Sequence, residues 1–298
     1  MDGPQLGNHA IASTTQHLLR RLHRNRQARK AFARHETEVE LREQIKTLPP
    51  WMPETLSRFP GANVELLERR ALQKRVDTKF ILDFDALRQV LGQVRDHYGL
   101  LRAEGASAAQ YKTLYFDTPN YDCLREHHRG RRPRHKIRIR HYLDRKLSYL
   151  EIKNKTSANR TIKARQEIPF LQESIGSTER DFINQHNPIA AESLRPSLRT
   201  DFHRITLVGL DTMERATFDL DLSFQESSRD ARIPGAVIAE IKQDRFRARS
   251  PIMLALRQAH VLPESISKYC TAATLLLPSV PMQRYLPKIR SLRRMLHD

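Results

Sequence analysis

Residues 134–140 read Arg134-His135-Lys136-Ile137-Arg138-Ile139-Arg140, and every second side chain in this run is a cation. A strand sends successive side chains to opposite faces. Arg134, Lys136, Arg138 and Arg140 therefore point one way, and Ile137 and Ile139 the other. Four like charges on one face need an explanation, because two unit charges about 4 Å apart repel by about 4 kcal/mol at an effective dielectric near 20. They call for a bound anion, for acidic neighbours, or for both.

The same design recurs along the chain. In residues 75–82, Arg75, Asp77 and Lys79 oppose Val76, Phe80 and Leu82. In 148–153, Glu151 and Lys153 oppose Leu150 and Ile152. In 215–224, Arg215, Thr217, Asp219 and Asp221 oppose Ala216, Phe218, Leu220, Leu222 and Phe224. In 237–242, Ile238, Glu240 and Lys242 oppose Val237, Ala239 and Ile241. A further strand is expected at 111–117, ending at the turn signal Thr118-Pro119-Asn120. Helical periodicity marks 83–98, 251–260 and 267–277.

Two arrangements fit these faces. One is an antiparallel sheet with a solvated side. The other curls the sheet into a barrel with its charged faces inward, and the clustering of cations favours it. The expected fold is α+β: a closed antiparallel β-barrel tunnel with a charged interior, flanked by helices. Residues 1–60 read as a basic helical N-terminal extension and linker, with helix over 14–48 and a stop at Pro49-Pro50-Trp51-Met52-Pro53. Residues 61–298 would hold the barrel and a basic C-terminal tail.

Composition narrows the partners. The chain has 298 residues, 52 Lys+Arg against 34 Asp+Glu, and a net charge of +18. Fifteen of the basic and four of the acidic residues fall in 122–165, so most of the excess belongs to the strands just described. Such charge implies a polyanion: nucleic acid, a lipid surface or a phosphorylated metabolite. No apolar run reaches the ~20 residues that span a bilayer, so no transmembrane segment is expected. The N-terminus lacks a secretory signal's apolar core, and a cytoplasmic location is the default expectation. Cys123 and Cys270 lack the spacing of a thiolate zinc site. A GxxxxGK[ST] loop is absent and glycines number only ten, so bound phosphate would have to be held by side chains. HExxH, GxSxG and dinucleotide fingerprints are absent too, and the pair His127-His128 reads as surface.

The ordered motifs resemble the polyphosphate polymerase domain of the VTC (vacuolar transporter chaperone) family, a branch of the triphosphate tunnel metalloenzymes. They are "RVDTKFIL" (75–82), "YFDTPNYDCL" (115–124), "KIRIRHY" (136–142), "YLEIKNK" (149–155), "LRTDFHR" (198–204), "RATFDLDL" (215–222), "AEIK" (239–242) and "SISKY" (265–269). The resemblance spans roughly residues 68–280. It implies that Lys79, Arg138, Arg140, Lys153, Arg204 and Arg215 line the tunnel and grip phosphates in catalysis. Lys136, Lys242, Ser267 and Lys268 would add substrate contacts. Glu240, and with it Glu151, would hold a divalent metal, Mn2+ or Mg2+. The tunnel family's opening ExExK is here Arg75-x-Asp77-x-Lys79, and Phe202 stands where the family often has Tyr.

The implied activity is transfer of the γ-phosphoryl group of ATP to a growing inorganic polyphosphate chain. An inorganic triphosphatase on the same fold, or a non-catalytic polyphosphate or inositol-phosphate binder, are the alternatives. A nucleic-acid binder is disfavoured by the scarcity of aromatics near the basic strand, where Tyr142 stands nearly alone. The N-terminal arm is the expected contact for a membrane surface or a protein partner.

Overall fold

A computed structural model describes residues 48–70, 75–158 and 160–294. The chain divides into two units, Met1–Leu48 and Pro49–Asp298. The expected helix over 14–48 and the arm's partner role fall outside the described residues, apart from Leu48.

The second unit opens with short helices α1 (Met52–Ser57) and α2 (Val64–Arg69). Then follow β1 (Val76–Leu82), α3 (Phe84–Val94), β2 (Tyr98–Leu100), β3 (Ala109–Asp117), α4 (Asp122–Arg129), β4 (Arg134–Tyr142), β5 (Leu147–Lys155) and β6 (Thr161–Ile168). The remainder is α5 (Ser177–His186), β7 (Arg195–Gly209), β8 (Glu214–Glu226), β9 (Arg229–Ile233), β10 (Val237–Gln243), α6 (Pro251–Gln258), α7 (Lys268–Leu276) and α8 (Leu286–Arg294). None of the described helices is long and apolar enough to cross a membrane.

The strands pair in the order β1-β10-β8-β7-β3-β4-β5-β6, with β2 added to β7 and β9 to β8, and every pairing is antiparallel. The expected closure does not occur: β1 and β6 are the two ends of the path and do not pair. The sheet is nonetheless strongly curled. Lys153 on β5 senses the charges of Glu240 and Lys79, and Lys163 on β6 senses Arg75 and Asp77, although these groups belong to opposite ends of the strand order. The result is a trough with a cationic inner face and an unpaired seam, and Lys153, Lys163 and Arg165 are exposed beside that seam.

Bulges bend a strand and add to the local twist. The β7–β8 register shifts between Asp201 and His203, and Asp221 adopts a left-handed backbone with φ of 50°. An inserted residue reverses which face the next side chains take. Leu222 and Phe224, expected on the outer face, thus join a cluster with Ile81, Tyr115, Phe202 and Ile238 on the inner one. Asp221, expected beside Asp219, lies 3.7 Å from His203 Nδ1 instead.

This apolar end of the inner face is filled by α7, whose Tyr269, Cys270, Ala272, Ala273 and Leu276 belong to the same cluster. The trough therefore has a charged length and a plugged end. On the outer face Ile137, Ile139, Leu150 and Ile152 are buried with Ile183 of α5, each such side chain contributing about 1.5–3 kcal/mol. Elsewhere α3 packs on α6, burying Leu87, Val90, Leu91 and Val94 together with Ile252 and Leu256.

Asp117 ties the plugged end together. Its carboxylate accepts backbone N–H bonds from Cys123 and Leu124 at 2.9 Å each, and the Tyr269 hydroxyl donates to it at 2.7 Å. Those backbone donors are the open N-terminus of α4, which an acid satisfies well. Gly130, with φ of 70°, ends that helix. The pair His127-His128, expected at the surface, belongs to this helix and is half-buried.

Candidate functional site

Cross-strand register converts the alternation into rungs. One runs Lys79–Glu240–Thr217–Thr206, another Lys242–Arg215, and a third brings Asp219 beside Arg204. Across the trough the rungs are Thr113–Arg140–Tyr149, Tyr115–Arg138–Glu151–Arg165 and Lys136–Lys153–Lys163. Lys79, Lys136, Arg138, Arg140, Lys153, Arg204, Arg215, Lys242, Glu151 and Glu240 occupy alternate strand positions of these rungs. Ser267 and Lys268 arrive from the start of α7, with the Ser267 side chain accepting the Cys270 N–H as helix cap.

Among the described residues, Asp219, Glu151 and Glu240 lie inside and are held by cations, while Asp77, beside Lys242 in register, pairs with Arg75 nearer the rim at 2.8 Å. Arg204 grips Asp219 with both arms, Nε to Oδ1 at 2.5 Å and Nη2 to Oδ2 at 2.8 Å, and Lys268 Nζ donates to Oδ2 as well. Arg138 donates to Glu151 Oε2 from Nε at 2.7 Å and Nη2 at 2.6 Å, while Tyr142 donates to Oε1 at 3.2 Å. Lys242 Nζ donates to Glu240, and Lys79 Nζ lies 3.9 Å from it. Burial by itself would raise all three acids. The facing cations reverse this, bringing Glu151 down to about 2 and holding Asp219 and Glu240 well below the usual carboxylate range.

Other cations have no carboxylate within ion-pair distance among the described residues: Arg140, Lys136, Lys153, Lys163 and Arg215. Burial and mutual repulsion show in their protonation. Lys136 falls to about 7 through burial, with Arg138, Lys79 and Arg134 adding to it. Lys153, although exposed at the seam, falls to about 8 because the surrounding protein limits its hydration and Lys136 and Lys163 repel it. Lys268 also falls to about 8, mainly by burial. A surplus of cations packed together in this way suits an anion as its counter-charge.

Aromatic rings hold part of this surplus in place, a feature that strand periodicity did not reveal. Phe202 stacks on Tyr111 with centroids 5.2 Å apart, and Tyr142 meets Tyr111 edge-on at 4.9 Å. Over the Phe202 ring sit Arg140 at 5.8 Å, Arg204 at 5.3 Å and Lys268 Nζ at 4.4 Å. One ring thus seats three cations, and a hydroxyl is not needed for that task. At about 0.5–1 kcal/mol per cation–π contact, Phe202→Leu should weaken tripolyphosphate binding about tenfold, while Phe202→Tyr stays near the parent. Calorimetric titration of both variants checks this.

His127 is the residue that the sequence reading missed most. Its imidazole lies half-buried, and burial lowers its basicity strongly, followed by the charges of Lys136, Arg134, Lys79 and Lys153. It therefore lies within reach of the charges of the cationic face. No local motif signals this, because the residues around it come from β1, β4 and β5.

A divalent ion would find single carboxylates here and no ready-made cage. Among the described residues no group of three or more His, Cys, Asp or Glu could hold a metal. Magnesium-like ions are commonly held by one or two carboxylates plus substrate phosphates. Glu240, whose side chain is 24 % exposed, can serve as that carboxylate. Glu240 is engaged by Lys242 and more loosely by Lys79, Glu151 by Arg138 and Tyr142, and Asp219 is 4 % exposed beneath Arg204 and Lys268.

No curated protein matches the chain. Among solved structures it is similar to a Bacillus halodurans protein put forward as an adenylate cyclase, at 10% identity and a TM-score of 0.42, covering 72% of this chain and 97% of that one. It is also similar to HpAC1 from Hippeastrum, described as having a dominant triphosphatase activity, at 14% identity and 0.40, covering 68% and 98%. PH1012 from Pyrococcus horikoshii OT3 follows at 11% and 0.38, covering 65% and 98%. Residues 74–277, which contain every strand from β1 to β10 together with α7, match the VTC domain, and the chain belongs to that family.

Proposed function

We propose that this protein is a polyphosphate polymerase, transferring the γ-phosphoryl group of ATP to the end of a polyphosphate chain bound in the trough. The triphosphate lies among Lys79, Arg138, Arg140, Arg204, Arg215 and Lys268. Arg offers paired N–H donors to phosphate oxygens, and Lys a compact charge. The nucleoside rests toward the small cleft lined by Tyr111, Tyr142, Asp144, Arg145 and Arg204. A terminal phosphate oxygen of the chain forms a bond to the γ-phosphorus as the bond to the β-bridging oxygen breaks, and ADP departs. A divalent ion held by Glu240 would supply charge neutralisation at the phosphate oxygens.

The observation that carries this reading is the locked state of the three carboxylates. An acid paired to Arg204 and Lys268, to Arg138, or to Lys242 is a poor base for activating water. An anionic phosphate acceptor needs no base, and phosphoryl transfer through a loose transition state asks mainly for positioning and charge stabilisation. The supporting experiment incubates the protein with ATP labelled at the γ-phosphate and Mg2+ or Mn2+, then sizes the products. Labelled chains longer than triphosphate are expected. Orthophosphate alone would assign the trough to a triphosphatase, and an unconsumed but bound triphosphate to a binding protein.

A further inference from the structure

The arginines expected to grip phosphate are not all held in the same way. Arg138 is bonded to Glu151 and Arg204 to Asp219, while Arg140 donates from Nε to Thr113 Oγ1 at 3.1 Å and lies over Phe202. Arg215 differs. Among the described residues its guanidinium has no hydrogen-bond, ion-pair or ring partner. Burial lowers its basicity, Arg75 and Arg204 lower it further, and Glu240 and Tyr111 oppose them. A half-buried arginine so placed is aimed by its backbone and not by a side-chain partner.

That backbone is fastened from the opposite face of the sheet. Glu214, the residue before Arg215, is fully buried and points to the other side of β8. Its Oε1 accepts a hydrogen bond from the Tyr98 hydroxyl, and its Oε2 accepts from Gln243 Nε2 and, at 2.8 Å, from Ser250 Oγ. The Tyr98 hydroxyl in turn accepts the Ile252 N–H at 3.3 Å, and Gln243 Oε1 accepts the Arg247 N–H at 3.1 Å. One carboxylate thus joins β2, β8, β10 and the start of α6. Such a buried acid is tolerated only where its hydrogen bonds are complete, so the network admits one arrangement of these strands.

Register shows what the network holds. Val76, Gln243 and Glu214 form the rung beside Asp77, Lys242 and Arg215, and Gln243 is the last residue of β10. Strand ends fray first, and the side chains next to this end are Lys242 and Arg215. Lys242 keeps Glu240 as a partner on the inner face. Arg215 has only the strand.

We propose that Glu214 is a positioning residue, which holds the end of β8 against β10 and α6 so that Arg215 stays aimed at bound phosphate. It touches no substrate and acts through Arg215. The proposal rests on the reading of the trough as a polyphosphate site.

The test is a double-mutant cycle on the full chain, with tripolyphosphate affinity measured by calorimetric titration well below the Tm of each variant. Arg215→Gln should weaken binding about thirtyfold, the loss of a charge-assisted phosphate contact. Glu214→Gln turns an amide N–H2 toward the Gln243 or the Tyr98 donor. It should weaken binding about fivefold when Arg215 is present and by less than about twofold once Arg215 is already Gln. Equal losses in both backgrounds would make Glu214 a general scaffold, and unchanged affinity with Arg215 present would give it no part in binding. Either result overturns the proposal. If Glu214→Gln does not fold, Ser250→Ala removes one donor to the same carboxylate, and a loss of about threefold should vanish in the Arg215→Gln background. Its persistence there overturns the proposal equally. A parent that binds no tripolyphosphate contradicts the reading of the trough itself, and the positioning role falls with it.

Discussion

Glu240→Gln should lower ATP turnover about a thousandfold while leaving tripolyphosphate bound at least as tightly as in the parent. The separation follows from where the acid sits. Asp219 is sealed under Arg204 and Lys268, and Glu151 is clamped by Arg138 and Tyr142, but Glu240 keeps a partly exposed carboxylate between Lys242 and Lys79. Removing its charge makes the trough more positive, which favours an anion in the ground state. What is lost is the carboxylate that would hold a divalent ion, and with it the charge neutralisation such an ion would supply at the phosphate oxygens. Equal falls in turnover and affinity would instead make Glu240 a scaffold for its two lysines. Steady-state kinetics beside calorimetric binding distinguishes the two.

The second large effect concerns stability and protons together. Lys136 at about 7, and Lys153 and Lys268 at about 8, all lie below the ordinary lysine value of 10.5. Between those values and about 10 the unfolded chain binds more protons than the folded one, so the stability of the ligand-free protein should rise with pH from about 7 to about 10. Below pH 7 the full repulsion is present. Polyphosphate supplies the missing counterions and returns these lysines to the charged form. Binding at pH 8 should therefore take up about one to two protons, read from the dependence of the calorimetric heat on buffer ionisation. At a thousandfold excess over Kd, tripolyphosphate should also raise Tm by about 10 °C. A ligand-free Tm that falls from pH 7 to 10, or binding with no proton uptake, would contradict the charge balance described for the trough.

Much of the inner face was legible in β4, because period-two alternation is a local property and Arg134 to Arg140 displays it without interruption. The same applied to Lys79, Glu151, Lys153, Arg215 and Glu240. Closure was not legible. Whether β6 meets β1 depends on accumulated twist and on bulges, and the bulge at Asp221 leaves no mark in the hydrophobic pattern except that Leu222 and Phe224 change sides. The plug was also hidden. Its inner-face residues Ile81 and Ile238 continue the parity of Lys79 and Glu240, so charge was expected where α7 packs.

Pairing across strands was the third gap. That Phe202 seats Arg140, Arg204 and Lys268, and that His127 feels the charges of Lys79, Lys136 and Lys153, depends on the proximity of residues far apart in the chain. A single sequence carries no local signature of such contacts. The family motifs supplied the candidate residues, and the register supplied which of them share a rung.

The central claim is that the cationic inner face, between the α7 plug and the Tyr142 end, is a phosphate-chain site. A crystal structure with tripolyphosphate tests it most directly. The account predicts three connected phosphates inside the trough, contacting Arg138, Arg140, Arg204 and Lys268 and lying close to Glu240. Density confined to the outer Arg131–Arg132 segment, or an inner face whose Arg204–Asp219 and Arg138–Glu151 pairs persist with no anion beside them at saturating ligand, would contradict it.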